Sequence, residues 1–436
     1  MSVLERLADS ISKGKKHLES RTSCEFQKVF QSSKDCKNLL AAGDSRDFMI
    51  YLKNHGYERK FKAIYMDPPF FSKAKYNSSF ILEDKYGDGS RIQMEAYDDR
   101  WNNSIDTYIE YITSMIYGIY DLLADDGVII LHIDWHACHY CRIILDELFG
   151  SKNFVNEIIW TYKSGGAGKR SFAKKHDNIL IYSKTKQYTY NQSKVKSYNR
   201  ELKKYGFKGV EEFQDEKGWY TLVNERDVWF IDMVGRTSKE RTGYATQKPK
   251  LLIEKLINAF TNKGDLVGDF CAGSGTVAKV CDENKRNWIC ADINNSAISM
   301  MMRYLCSKKS KFNLLWTRKD NFHSENPILT YENGKFVANL HEENLNYLAD
   351  KLSKESMEKV IDECTKFPNS LINFISYDFN YNGQFHHSDY MFSDGKQLEE
   401  FKNKQLNKDE MKNIHIMYAD VFGNFSEKEE LLGDKQ

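Results

Sequence analysis

Two consecutive prolines close an apolar run at Phe61-Lys-Ala-Ile-Tyr-Met-Asp-Pro-Pro-Phe70, and this junction limits the possible folds more than any other stretch. Phe61 to Met66 favours a buried strand, and Pro68 and Pro69 end it because neither can donate an N–H to a ladder. Asp67 is thereby set at the carboxyl end of a strand, the edge at which open α/β sheets bind ligands. Each proline fixes its own φ and restricts the residue before it. The Asp67 carboxylate and the following carbonyls therefore form one rigid array, with the Phe70 ring beside it. Such an array suits an amino group on a heteroaromatic base, whose N–H donors meet the acceptors while its π-face meets the ring. Hydrogen bonds to Asp67 and the Pro68 carbonyl favour a tetrahedral nitrogen with its lone pair free to attack. A helix-capping Asp before a plain Pro-Pro turn would leave the same four residues, so the motif alone does not decide.

At 436 residues the chain has room for one large α/β domain with additions, or for two or three domains. A formal charge of +1 conceals segregation: from Tyr162 to Gly209 thirteen Lys and Arg stand against two acids, Asp177 and Glu201. Tyr162, Tyr182, Tyr188, Tyr190, Tyr198 and Tyr205 are interleaved with these bases, which combines phosphate-binding charge with stacking surface. That pattern favours nucleic-acid contact over a plain solvated face, with Lys163, Lys169, Arg170, Lys174 and Lys175 as its first candidates. Nine cysteines lack a disulfide-like spacing, no signal-peptide pattern is present, and no apolar run approaches a membrane span. A reducing, cytoplasmic setting without membrane contact is expected. Cys138 and Cys141 with His132 invite a zinc reading. The segment follows a strand at Val128–Ile133 and reads as a helix whose thiols pack as small hydrophobes, so no metal is expected.

A second ligand-binding pattern lies far downstream. Asp265-Leu-Val-Gly-Asp269 reads as a strand, followed by Phe270-Cys-Ala-Gly273-Ser-Gly275-Thr276 and a helix. This arrangement brings a ligand against backbone N–H groups and a helix N-terminus. Trp288 to Asp292 is the next strand, ending in an acid 23 residues after Asp269, the position from which a carboxylate reaches ribose hydroxyls. The loose GxGxxA spacing also fits a nicotinamide enzyme, but no hydride-transfer site accompanies it. A nucleoside cofactor with an amino-acid tail explains Asp269 as partner of an ammonium group and explains Asp67 as well.

Asp67-Pro-Pro-Phe70, Thr246-Gln-Lys-Pro249 and Asp269-Phe-Cys-Ala-Gly-Ser-Gly-Thr276 resemble the signatures of β-class DNA amino-methyltransferases, catalytic corner first and cofactor loop last. Asn156 to Gly166 and Lys175-His-Asp177 resemble the modification subunits of type III restriction systems. The likeness runs from about Lys37 to Leu305. It implies S-adenosylmethionine as cofactor and N6 of a flipped adenine in duplex DNA as target. Asp67, Pro68, Pro69 and Phe70 would hold the base. Phe270, Gly273, Gly275 and Thr276 would surround the methionine part with Asp269, Asp292 would meet the ribose, Gln247 and Lys248 would close over the methionine tail, and Asp44 would lie near the cofactor's adenine. The family commonly carries Asn after the corner where this chain has Phe71. Ser-Pro-Pro-Tyr is the more usual cytosine-N4 form, so Asp67 leans toward adenine. A cytosine-N4 enzyme, a non-catalytic specificity subunit and an RNA substrate are the competing readings.

The implied fold is α/β, a Rossmann-like S-adenosylmethionine-dependent methyltransferase with a seven-stranded, mostly parallel sheet. Five segments are expected: a helical N-terminus (1–37), a catalytic half (38–160), a target-recognition insertion (161–232), a cofactor-binding half (233–307) and a small α+β C-terminal appendage (308–436). Lys73 to Asn103 reads as a mobile loop beside the site. A helix is expected at Leu340–Leu352 and strands at Leu371–Asp378 and Ile414–Tyr418. A homodimer is expected, with subunit contact assigned to 308–436 from its length alone, in a nucleoid-associated bacterial location; a restriction endonuclease subunit is a possible partner that one chain does not reveal.

Overall fold

The computed structural model describes residues 3–22, 24–32, 36–83, 89–164, 170–235 and 237–317; beyond these it describes 329–332, 335–338, 352–366, 372–378, 390–392, 413–420, 423 and 425–431. The chain opens with helix α1 (Val3–Glu19), strand β1 (Gln27–Gln31), β2 (Leu39–Ala42), α2 (Ser45–Leu52) and β3 (Phe61–Met66). A ribbon of β4 (Lys75–Glu83) and β5 (Gly89–Asp98) leads to α3 (Ile105–Leu122), β6 (Leu123–Ile133), α4 (Cys138–Leu145), β7 (Phe154–Thr161) and β8 (His176–Ser183). Next come β9 (Lys194–Tyr198), β10 (Glu212–Asp215), β11 (Gly218–Asn224) and β12 (Val228–Phe230). The cofactor-loop half supplies α5 (Lys250–Phe260), β13 (Leu266–Asp269), α6 (Thr276–Glu283), β14 (Asn287–Asp292), α7 (Asn295–Ser307) and β15 (Asn313–Trp316).

Among the described residues the main sheet has ten strands in the order β1-β15-β2-β14-β13-β3-β6-β8-β7-β12. From β15 to β6 every neighbour pair is parallel, while β8 runs antiparallel to both β6 and β7. The architecture is that of the expected Rossmann-like fold with a larger sheet. At its two edges, β1 (Gln-Lys-Val-Phe-Gln) and β12 (Val-Trp-Phe) are too short or too polar to announce themselves in a sequence. Period-two alternation divides the core. Ala63 and Tyr65 face the layer of α5, α6 and α7, whereas Ile64 and Met66 face α2, α3 and α4. Helices thus cover both faces, as parallel strands buried on both sides require.

Three expectations change. Of residues 73–103, Lys75–Glu83 and Gly89–Asp98 form the β4–β5 ribbon and Trp101–Asn103 a 3₁₀ turn, a defined ladder in place of an irregular loop. The N-terminal segment is helical only to Glu19 and then adds β1 to the sheet. The antiparallel pairing of β7 with β8 is as expected, but it lies inside the main sheet. The stretch outside that sheet accordingly runs from 184 to 227 and carries a separate three-stranded sheet, β10-β11-β9. The Cys138–Cys141 segment is helix α4, with the Cys141 thiol fully buried.

In the C-terminal region a helix spans Lys354–Lys366, and strands at Ile372–Asp378, Tyr390–Phe392, Asn413–Asp420 and Phe425–Leu431 form an antiparallel sheet. This matches the expected α+β appendage and both of its strands; the helix expected at 340–352 lies almost wholly outside the described residues. The sheet docks on α7. Asn373 Nδ2 donates to Ser299 Oγ at 2.6 Å, and Ser299 Oγ donates to the Asp420 carbonyl at 3.0 Å, both buried.

Candidate active site

The carboxyl ends of three adjacent parallel strands deliver three carboxylates to one place. Asp67 follows β3, Asp269 ends β13 and Asp292 ends β14, and all three line one cavity with Pro68, Phe70 and Gly273. Residues some two hundred positions apart in sequence meet there because β13 inserts between β3 and β14. Burial pushes the Asp269 carboxyl well above its ordinary value, and the neighbouring charges of Asp67 and Asp292 push it further. Burial also raises Asp292, against hydrogen bonds from the backbone of Asn294 and Gly273. Among the described lining residues Lys248 is the one Lys or Arg. A cavity with this imbalance favours a cationic ligand.

At the catalytic corner, Asp67 Oδ2 accepts from the Lys248 ammonium, which also stands 5.2 Å above the centre of the Phe70 ring. Asp67 Oδ1 is buried without a hydrogen-bond partner. An unpaired buried acceptor costs about 1–3 kcal/mol, and a ligand donor would recover it. Pro68, Pro69 and Phe70 line the same cavity, as do Tyr76 and Tyr97 of the β4–β5 ribbon, whose rings stack at 4.8 Å.

Asp99 holds the corner in shape. Its fully buried carboxylate accepts from the backbone N–H groups of Phe70 (3.2 Å), Phe71 (3.0 Å) and Ser72 (2.7 Å) and from Trp101 Nε1 (2.8 Å). Sequence reasoning passed over Asp99; its only signal is an acid beside Trp101 at the end of a polar stretch. The clamp forces Phe71 to φ +62°, the left-handed region that Asn tolerates and Phe does not. Here the strain is offset by burying the Phe71 ring against Tyr108, 5.5 Å between centroids.

The glycine loop is built for close approach. Gly273 has φ +50° and a Cβ there would stand 3.1 Å from the Tyr244 ring; Gly275, at φ +75°, would drive a Cβ into Met301. Gly273 and Thr276 line the cavity, while Gly275 caps α6 outside it. The Thr276 hydroxyl donates to the Lys248 carbonyl at 3.3 Å, tying the loop to the segment before α5. Asp292 already accepts from Gly273 N and Asn294 N, both at 2.8 Å, and keeps further lone pairs toward the cavity.

Other assignments are redrawn. Phe270 contributes its backbone, since its ring is buried edge-on against Phe48 and Phe61 and its carbonyl accepts from Ser45 Oγ. Gln247 does not reach the cavity. Its amide braces the preceding loop, accepting from Thr242 N at 2.8 Å and donating to the Glu240 carbonyl at 2.7 Å. Asp44 also lies outside the lining. It caps α2 and pairs with Arg46 and Arg21; burial opposes ionisation, but these partners hold its carboxyl below the usual value. Lys248 sits at the catalytic corner, where a position over the methionine tail was expected.

The candidate DNA residues lie on the connection from β7 to β8, next to the carboxyl end of β6 and so on the same edge as Asp67. Lys163, Arg170 and Lys174 are exposed, Lys174 lying over the Trp135 ring at 4.2 Å, and Lys175 donates to Ser164 Oγ at 2.8 Å. Lys169 lies outside the described residues. No helix among the described residues is long and apolar enough to cross a membrane, and no group of three or more His, Cys, Asp or Glu there could hold a metal.

The donor set suits a nucleoside with a cationic amino-acid part: carboxylates for the cation, Asp292 for hydroxyls, and a cradle at Gly273 that a side chain would fill. Several known proteins are similar to this chain. The type II methyltransferase M.HpaI of Haemophilus parainfluenzae is 30% identical over 212 residues, which is 48% of this chain and 63% of that protein, less than two thirds of its length. The Mod subunit of the type III enzyme EcoP15I of Escherichia coli is 24% identical over 170 residues, 36% of this chain and 26% of the subunit. The solved M1.HpyAVI–SAM complex superposes with a TM-score of 0.41 at 18% identity, covering 61% of this chain and 98% of that one. Residues 61–303, more than half of the chain, match the N6/N4-type DNA methylase family, and the chain belongs to that family.

Proposed function

We propose that this protein transfers the methyl group of S-adenosylmethionine to N6 of an adenine flipped out of duplex DNA. The observation that carries this reading is the orphaned Asp67 Oδ1, a buried acceptor beside the Phe70 ring in the cavity whose other wall is the glycine loop. The cofactor supplies a methyl group already activated on sulfur. Asp269 and Asp292 hold the cationic and ribose parts, and Gly273 lets backbone approach them. Asp67 Oδ1 and the Pro68 carbonyl accept the two amine N–H groups and leave the nitrogen lone pair toward the methyl. Asp67 would then take up the proton that the nitrogen gives up when it is methylated. Catalysis is then positioning plus hydrogen bonding to the reacting amine.

Flipping costs a few kcal/mol, offset by stacking on Phe70 and contacts to the base edge. Lys163, Lys169, Arg170, Lys174 and Lys175 supply positive charge for the DNA phosphates. Asp67, where cytosine-N4 enzymes more often carry Ser, favours adenine. Asp67→Ala tests the assignment: methyl transfer should collapse while cofactor binding persists, and turnover near that of the unmodified protein would refute it.

A further inference from the structure

His132 and Asp177 have no part in the chemistry just described, yet the fold joins them to it. Tyr65 lies on β3, two residues before Asp67, and lines the same cavity. Its hydroxyl is 2.7 Å from His132 Nδ1 on β6; His132 Nε2 is 3.0 Å from Asp177 Oδ2 on β8; the Tyr162 hydroxyl, just past β7, donates to Asp177 Oδ1 at 3.0 Å. The chain of contacts thus crosses four neighbouring strands. Tyr65, His132 and Asp177 are buried, His132 completely. The Phe70 ring stacks on the imidazole, with centroids 5.8 Å apart and planes 30° apart, and the Trp160 edge closes the other side at 5.4 Å.

We propose that His132 and Asp177 are positioning residues for methyl transfer: they fix the Tyr65 oxygen as an acceptor facing the reacting centre and set the plane on which Phe70 rests. An ionised carboxylate accepts only. Burial pushes Asp177 up, but the His132 hydrogen bond, the Lys248 charge and the Tyr162 hydroxyl outweigh it and hold the carboxyl below its usual value. Asp177 therefore takes N–H from Nε2, which leaves Nδ1 as a lone pair to receive the Tyr65 O–H. The Tyr65 oxygen then has only lone pairs left to offer the cavity. Beside Asp67 they meet donors and positive charge, the two things that an amine and a sulfonium bring together there. An apolar core would need none of these polar groups, and each left unmatched would be destabilising.

This inference rests on the methyl-transfer reading. The test uses the full chain, unmodified and as Tyr65→Phe and Asp177→Asn, in single-turnover transfer from labelled S-adenosylmethionine to duplex DNA, with cofactor affinity measured separately. Loss of one oriented polar group should slow transfer roughly 10- to 100-fold, with cofactor affinity within about threefold. In parallel, ¹⁵N spectra of histidine-labelled protein, with the His132 signal identified by its loss in His132→Gln, should show Nε2 protonated. In Asp177→Asn the amide N–H₂ can donate to Nε2, so the proton should move to Nδ1, and the Tyr65 O–H would turn into the cavity. Tyr65→Phe at the unmodified rate, or Nδ1 protonated in the unmodified protein, would overturn the inference. An unmodified protein that labels no DNA would instead overturn the function on which it rests.

Discussion

Lys248 and Asp67 form a partly buried ion pair although 181 residues separate them. The ammonium stands over the Phe70 ring, where the amine and π-face of a flipped base would otherwise lie. In this state it neutralises one of three carboxylates around the cavity. Replacing Lys248 by Met strands Asp67 beside Asp269 and Asp292, and breaking a buried pair in this way costs about 3 kcal/mol. Adding Asp67→Asn removes the stranded charge, so the double variant should recover most of that loss. Denaturant unfolding of the four proteins measures the coupling; additive losses would show that the pair contributes nothing.

Asp269 works against the stability of the fold. Its folded pKa is raised well above the ordinary 3.8. The folded state therefore holds the proton more tightly, and the cost of ionisation is absent below the unfolded pKa. That cost grows as pH rises from about 4 toward the folded pKa and is constant beyond it. Asp269→Asn, which keeps an acceptor for the Cys271 N–H, should be as stable as the parent at pH 3 and more stable at pH 7, with weakened cofactor binding. Thermal melts across pH check the sign, and a parent that gains relative stability on raising pH would contradict it.

Gly273→Ala should separate binding from folding. A Cβ at φ +50° costs about 1–2 kcal/mol and would crowd the Tyr244 ring at the cavity wall. Cofactor affinity should fall at least about tenfold, with only a few degrees lost in melting temperature. Calorimetric titration with S-adenosylmethionine decides.

The catalytic corner, the glycine loop and Asp292 are legible in the sequence because each is a local break in backbone chemistry: prolines ending a strand, glycines opening a helix, an acid ending the next strand. The parallel sheet follows from the same apolar runs. The Lys248–Asp67 pair and the Tyr65–His132–Asp177 chain are not legible, since strand order alone brings their members together. The β4–β5 ribbon stands off the main sheet and needs little apolar alternation, so its polar sequence reads as a loop. Gln247 and Asp44 carry the right residue types but spend their polar atoms on neighbouring backbone and Arg46.

Phe71 records a balance between strain and burial. Phe71→Asn relieves about 1–2 kcal/mol of left-handed strain but gives up a buried ring worth about 3–5 kcal/mol. A net loss near 2 kcal/mol is expected on unfolding, and a stabilised variant would show that the packing on Tyr108 is weak.

The most direct measurement incubates the purified protein with methyl-labelled S-adenosylmethionine and unmethylated duplex DNA of mixed sequence, then digests the DNA and identifies the labelled nucleoside. N6-methyladenine is the expected labelled nucleoside. Label in N4-methylcytosine would contradict the assigned base, and unlabelled DNA would contradict the proposed activity itself.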